Sequence, residues 1–126
     1  MRSQLLQRGN LLDEKGCLTQ AGYATSLVKD YRRKDIKASS MRIKEWDYYL
    51  IYNEDFGIAL TLADNGYMGL VGASFLDFKN TTERTTNLLI PFPMGRLKMP
   101  ETSESGDVSY RNKRVEVSFK NDGKER

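Results

Sequence analysis

The 126-residue sequence has no histidine, a single cysteine and three prolines. Without histidine there is no Ser-His-Asp or Cys-His catalysis and no imidazole metal site. Cys17 has no partner for an internal disulfide and no histidine to activate it, so it reads as a packed or idle thiol. A lone cysteine suits a reducing compartment, and the expected location is the cytoplasm. No apolar run approaches the roughly 18 residues of a membrane span, and "MRSQLLQRGNLLDEKG" lacks the apolar core of a secretory leader. There is no Walker loop, no G-x-G-x-x-G and no EF-hand spacing; "GYMGLVG" has the wrong spacing and lies inside a predicted strand. No cofactor and no metal are therefore expected.

The charge excess is also small. Twenty basic and 17 acidic residues leave +3. The basic residues cluster in "KDYRRKDIKASSMRIK", from Lys29 to Lys44, with a second patch at Arg111, Lys113 and Arg114. The main basic run precedes the aromatic strand instead of interleaving with it, so the pattern reads as a solvated rim and nucleic acid is not an expected partner.

What is present is β pattern. In "KEWDYYLIY", Trp46, Tyr48, Leu50 and Tyr52 alternate on one face, and Ile43, Glu45, Asp47, Tyr49 and Ile51 on the other. Period two with aromatic residues is the signature of a pleated strand. Asn53-Glu54-Asp55 makes a turn. Phe56, Ile58, Leu60 and Leu62 alternate in the next strand, and Asp64-Asn65-Gly66 is a hairpin signal. A third strand runs from Tyr67 to Phe78; its small residues Gly69, Gly72, Ala73 and Ser74 point to a bend or a crowded neighbour. "KNTTER" turns, "TTNLLIPF" forms a fourth strand, and the proline-bearing "PFPMGRLKMPETSESGD" is loop. Val108 and Tyr110, then Val115, Val117 and Phe119, make a last hairpin about Asn112-Lys113. The tail "NDGKER" reads as frayed.

Before the strands, Asp13-Glu14-Lys15-Gly16 is a turn, and Ala21 to Arg33 matches a short helix with Leu27, Val28 and Tyr31 on one face. The fold class expected is mainly β: an antiparallel meander forming a lipocalin-like barrel, half-barrel or curved sheet, after a short irregular or helical N-terminal segment. One domain spans 1–126, with 1–40 an extension and 41–120 the meander.

Carboxylates are the only candidates left for acid–base chemistry. Glu45 and Asp47 share a strand face beside Trp46, and Asp77 stands between Leu76 and Phe78, where partial burial would raise a carboxyl pKa. Solvent-facing acids are the plainer reading. Thr102, Ser103 and Glu104 of "PETSESG" can meet the carboxylates Glu45, Asp47 and Asp77 across a barrel mouth, a flexible polar loop being the plainer reading. Trp46, Tyr48 and Tyr52 are strand core first and pocket wall second.

Three segments, "LLDEKGCLTQAGYA", "IKASSMRIKEWDYYLIYNEDFGIALTLADNGYMGLVGASFLDF" and "PFPMGRLKMPETSESGDV", resemble the N-terminal part of the DUF2804 family, whose function is uncharacterised. The most specific piece is "KASSMRIKEWDYY" followed by Phe56-Gly57-Ile58-Ala59-Leu60-Thr61. The resemblance implies that the chain is a truncated member, a fragment or one half of a larger fold. It also implies a relation to lipocalin-like barrels, some of which handle lipids or isoprenoids; that relation is one of fold and carries no catalytic residue over.

Three functional expectations follow. The first is a module that binds a small hydrophobic or lipid-like ligand, with Trp46, Tyr48, Tyr52 and Phe75 as walls and Asp47 or Asp77 orienting a polar group. The second is part of a cofactor-independent lipid-modifying enzyme using Asp47 or Asp77. The third is an interaction domain whose sheet edges pair with a missing C-terminal half or with another copy.

Overall fold

The computed structural model describes residues 4–124. In the N-terminal segment, the two-residue strands β1 (Gly9–Asn10) and β2 (Lys29–Asp30) pair in parallel. Next come β3 (Glu45–Tyr52), β4 (Phe56–Asp64), β5 (Met68–Asp77) and β6 (Thr82–Pro91), one antiparallel meander in the order β3-β4-β5-β6. Strands β7 (Val108–Arg111) and β8 (Glu116–Phe119) form a separate hairpin.

Local turn chemistry sets the register. The Asn53 side-chain oxygen accepts the backbone N–H groups of Asp55 and Phe56, at 2.8 and 2.9 Å, and joins β3 to β4. Gly66, at φ +78°, turns β4 into β5; a Cβ there would lie 2.4 Å from the Met41 carbonyl oxygen, so the site requires glycine twice over. The Asn112 side-chain oxygen accepts from Arg114 and Val115 and closes the last hairpin. The crowded neighbour of Gly69 is the Ala63 carbonyl oxygen, 2.7 Å from where a Cβ would stand.

The register assigns every strand residue to a face. Glu45, Asp64, Gly69 and Ile90 are cross-strand neighbours, as are Asp47, Leu62, Val71 and Leu88, and then Tyr49, Leu60, Ala73 and Thr86. The hairpin β7–β8 and the segment before it pack on this face. Leu62, Val71 and Ile90 form the core with Met99, Val108 and Phe119, and the Tyr49 and Phe119 rings lie 4.6 Å apart. A fully buried leucine such as Leu62 contributes about 1.5–3 kcal/mol by removing apolar surface from water. The cover stops short of the far end, where Phe56 and Phe75 stack at 5.7 Å and stay 40% and 45% exposed.

Three expectations are corrected. The sheet does not close: β3 and β6 are edges, and β7–β8 lies over a face instead of extending the meander. Four strands are too few to close on themselves; even the five-stranded OB-type barrel is only partly closed. No helix forms over Ala21 to Arg33. The backbone there is occupied by a neighbouring strand: the Tyr23 N–H donates to Gln4, Gly9 to Val28 and Leu11 to Asp30, all at 3.0 Å. Gly22 permits this approach, since a Cβ would lie 2.1 Å from the Gln4 carbonyl oxygen. Leu27 stays 55% exposed, so a helix would have had no apolar partner, and a helix this short is marginal alone. Among the described residues the one helical piece is a 3₁₀ turn at Arg33–Asp35. Finally, the tail is held at its start. Asn121 is buried, its N–H bonds Asp107 and its side-chain amide bonds the Ser103 carbonyl. Residues 125 and 126 lie outside the described residues.

Candidate binding cleft

The first half of β3 is walled on its outer side. The 3₁₀ turn approaches it from the N-terminal segment, and residues 99–103 run beside it. Between them lies a cleft of about 380 Å³. Tyr31, Ile36, Ile43 and Met99 line it, with Trp46 and Pro100; its polar lining includes Lys44, Glu45, Asp47, Glu101, Thr102 and Ser103. A second recess of about 360 Å³, bounded by Arg8, Lys29, Asp30 and Glu104, shares Tyr31, Glu101, Thr102 and Ser103 with the first.

A polar clamp holds the walls together. The Glu45 side chain is only 8% exposed. The Tyr31 hydroxyl donates to one of its carboxylate oxygens at 2.5 Å, and Arg33 Nη1 pairs with the other. The Tyr31 pKa is raised well above its ordinary value, first by burial and then by the hydrogen bond to Glu45 and its charge. The Arg33 backbone N–H donates to Glu101 at 2.9 Å, which ties the 3₁₀ turn to the outer wall. Arg33 Nη2 is buried and has no hydrogen-bond partner among the described residues. It lies against Gly95, where a Cβ would come within 2.7 Å of it.

Asp64 supports the clamp from behind. It faces Glu45 across the β3–β4 ladder and is 0% exposed. One oxygen accepts from the Gly66 N–H at 3.1 Å and the other from Gly95 at 2.7 Å. A buried carboxylate must have such donors, and these fix both the β4–β5 turn and the loop that carries Met99 and Pro100.

The six residues expected to line a site are divided by the sheet. Trp46, Tyr48 and Tyr52 stand on one face; Asp47, Phe75 and Asp77 stand on the other. Trp46 and Asp47 both reach the cleft, whereas Tyr48 lines only a recess of about 80 Å³ beside it, with Asp47. Tyr52, Phe75 and Asp77 lie toward the far end of the sheet. Asp77 is half-buried, and the Asn80 side chain and backbone hold its carboxyl below the usual carboxylate range. That is the opposite of the raised value an acid catalyst requires. Thr102 and Ser103 share the cleft with Glu45 and Asp47, whereas Glu104 and Asp77 do not line it. Tyr31, Arg33 and Asp64 are the residues sequence reasoning missed. Asp64 carried a signal, a charge closing an otherwise apolar strand; Arg33 was one of several in a basic run.

Among the described residues no group of three or more Cys, Asp or Glu is placed to hold a metal, and no helix is long and apolar enough to cross a membrane. The model of the family described as a domain of unknown function, DUF2804, matches residues 2–126. The chain belongs to the DUF2804 family. No curated protein and no solved structure matches this DUF2804 chain.

Proposed function

We propose that this DUF2804 chain is a binding module for a small amphipathic ligand that carries a hydrogen-bond donor or a cationic group. The supporting observation is the cleft beside β3, where an apolar wall meets a concentration of acceptors. Ile36, Ile43, Met99 and Pro100 offer surface to an apolar body. The acidic side chains Glu45, Asp47 and Glu101 outnumber Lys44 on the same walls. The polar end of the ligand is directed to the acceptors Asp47, Glu101, Thr102 and Ser103 along the cleft.

Trp46 is the sole tryptophan and reports on the cleft. Titrating the chain with a ten-carbon trimethylammonium salt below its micelle concentration should give a saturable change in fluorescence. Decanoate, with the same chain length and the opposite charge, should bind at least about tenfold more weakly. Thr102→Phe places a large side chain in the cleft and should abolish the difference, with quenching of Trp46 followed by native mass spectrometry of the adduct. Equal response to both amphiphiles, or binding untouched by Thr102→Phe, would sink the proposal.

A further inference from the structure

The meander face turned away from the hairpin has no covering layer among the described residues. Along β3 it carries Trp46, Tyr48, Leu50 and Tyr52, and on β6 it carries Leu89; these side chains are 43% to 68% exposed. Their exposed surface comes to roughly 600 Å², at the upper end of what a monomer leaves to water. Next to this ridge the face is low. Gly57, Ala59 and Ala63 on β4 and Gly72 on β5 form a trough floor, all of them buried between the taller side chains. Among all strand positions on this face, only Glu83 carries a charge.

We infer that this face is the contact surface of a two-fold dimer of the chain. A ridge and a trough side by side on one neutral face are self-complementary. A two-fold axis parallel to the strands and running above β4 lays each copy's aromatic ridge over Gly72 on the other's β5 and beside its Leu89, the isologous arrangement of a closed dimer. Two such faces bury roughly 1,200 Å², the lower end of the range for specific interfaces, with aromatic residues at the centre. No like charges oppose one another across the contact, and Glu83 of each copy lies at the outer rim. The loop along the first half of β3 obstructs edge-to-edge pairing there.

The test is sedimentation velocity of the full 126-residue chain from about 1 to 200 µM, with native mass spectrometry of the same samples. The dimer predicts a species of twice 14.5 kDa. Leu50→Arg and Leu89→Arg, on different strands of the face, should each weaken dimerisation at least tenfold. Thr86→Arg, on the opposite face of β6, should leave it intact. All three positions are exposed or half-buried edge-strand sites, and an unchanged β-type circular dichroism spectrum confirms the fold. A monomer throughout the range overturns the inference, and so does a dimer that survives both leucine changes. A monomer with a lipid-range adduct lost in Leu89→Arg also overturns it and assigns the face to a lipid. Neither leucine lines the cleft, so failure here leaves the ligand proposal standing.

Discussion

Replacing Glu45 with glutamine keeps the shape of the clamp and removes its negative charge. The Tyr31 hydroxyl can still donate to the remaining carbonyl oxygen. Arg33 loses its counter-ion, and because its Nη2 already has no partner, little else compensates the guanidinium. Breaking a buried pair from one side costs about 3–5 kcal/mol. The Arg33 side chain is 23% exposed, so water recovers part of that, and about 2–3 kcal/mol is expected for Glu45→Gln. With an unfolding entropy of roughly 2.1 cal/mol/K per residue, this lowers Tm by roughly 8–11 °C. Arg33→Met should cost a similar amount, since it strands the carboxylate. The double variant Arg33→Met, Glu45→Met should return to within about 1 kcal/mol of the wild type, because apolar replacement of a buried pair is close to neutral. Urea unfolding followed both by circular dichroism and by Trp46 fluorescence measures the cycle and shows whether the clamp opens before the sheet. A loss below about 0.5 kcal/mol in Glu45→Gln, or a double variant as weak as the sum of the singles, would refute this account of the clamp.

Three further outcomes follow from the geometry. Tyr31 has a folded pKa above its unfolded value, so its contribution is complete below the ordinary tyrosine pKa of 10.0 and is lost as pH rises through the folded value; Tyr31→Phe should flatten the alkaline limb of a stability–pH profile. Asp77 has a depressed folded pKa, so its contribution is present above the unfolded value and fades as pH falls through the folded one; Asn80→Ala should move the Asp77 titration, read by NMR, back toward the ordinary carboxyl value. Asp64→Ala leaves the Gly66 and Gly95 N–H groups without an acceptor and should cost about 2–4 kcal/mol in urea unfolding, while Asp64→Asn, which keeps one carbonyl oxygen, should cost less.

The meander was legible because its evidence is local. Alternation in "EWDYYLIY" and "FGIALTLAD" fixes which side chains share a face, and Asn53, Gly66 and Asn112 set the turns from a few neighbouring atoms. Closure of the sheet was not legible, since it depends on whether β6 meets β3, and alternation is the same in an open sheet and a barrel. The helix over Ala21 to Arg33 failed for a related reason. The pattern Leu27, Val28, Tyr31 records spacing, while the competing partner, the backbone of residues 4–11, lies far away in sequence. Trp46 and Asp47 stand on opposite faces yet both border the cleft, because a strand edge exposes consecutive positions to one groove. Arg33 was hidden because nothing local separates one arginine facing a buried glutamate from its neighbour Arg32, which bonds Asp35 at the surface.

The hydrophobic cover is one-ended, and this divides each strand into two regimes of motion. Near Leu62, Val71 and Ile90 the backbone amides sit under β7–β8, and their hydrogens exchange with solvent only when the whole domain opens. Toward the turns at Asn53 and Asn80 the same four strands have no second layer, and their amides exchange by fraying from the tips. Deuterium uptake therefore runs as a gradient along the strands instead of differing between them, with the clamp at the slow end of the sheet and the Phe56–Phe75 stack at the fast end.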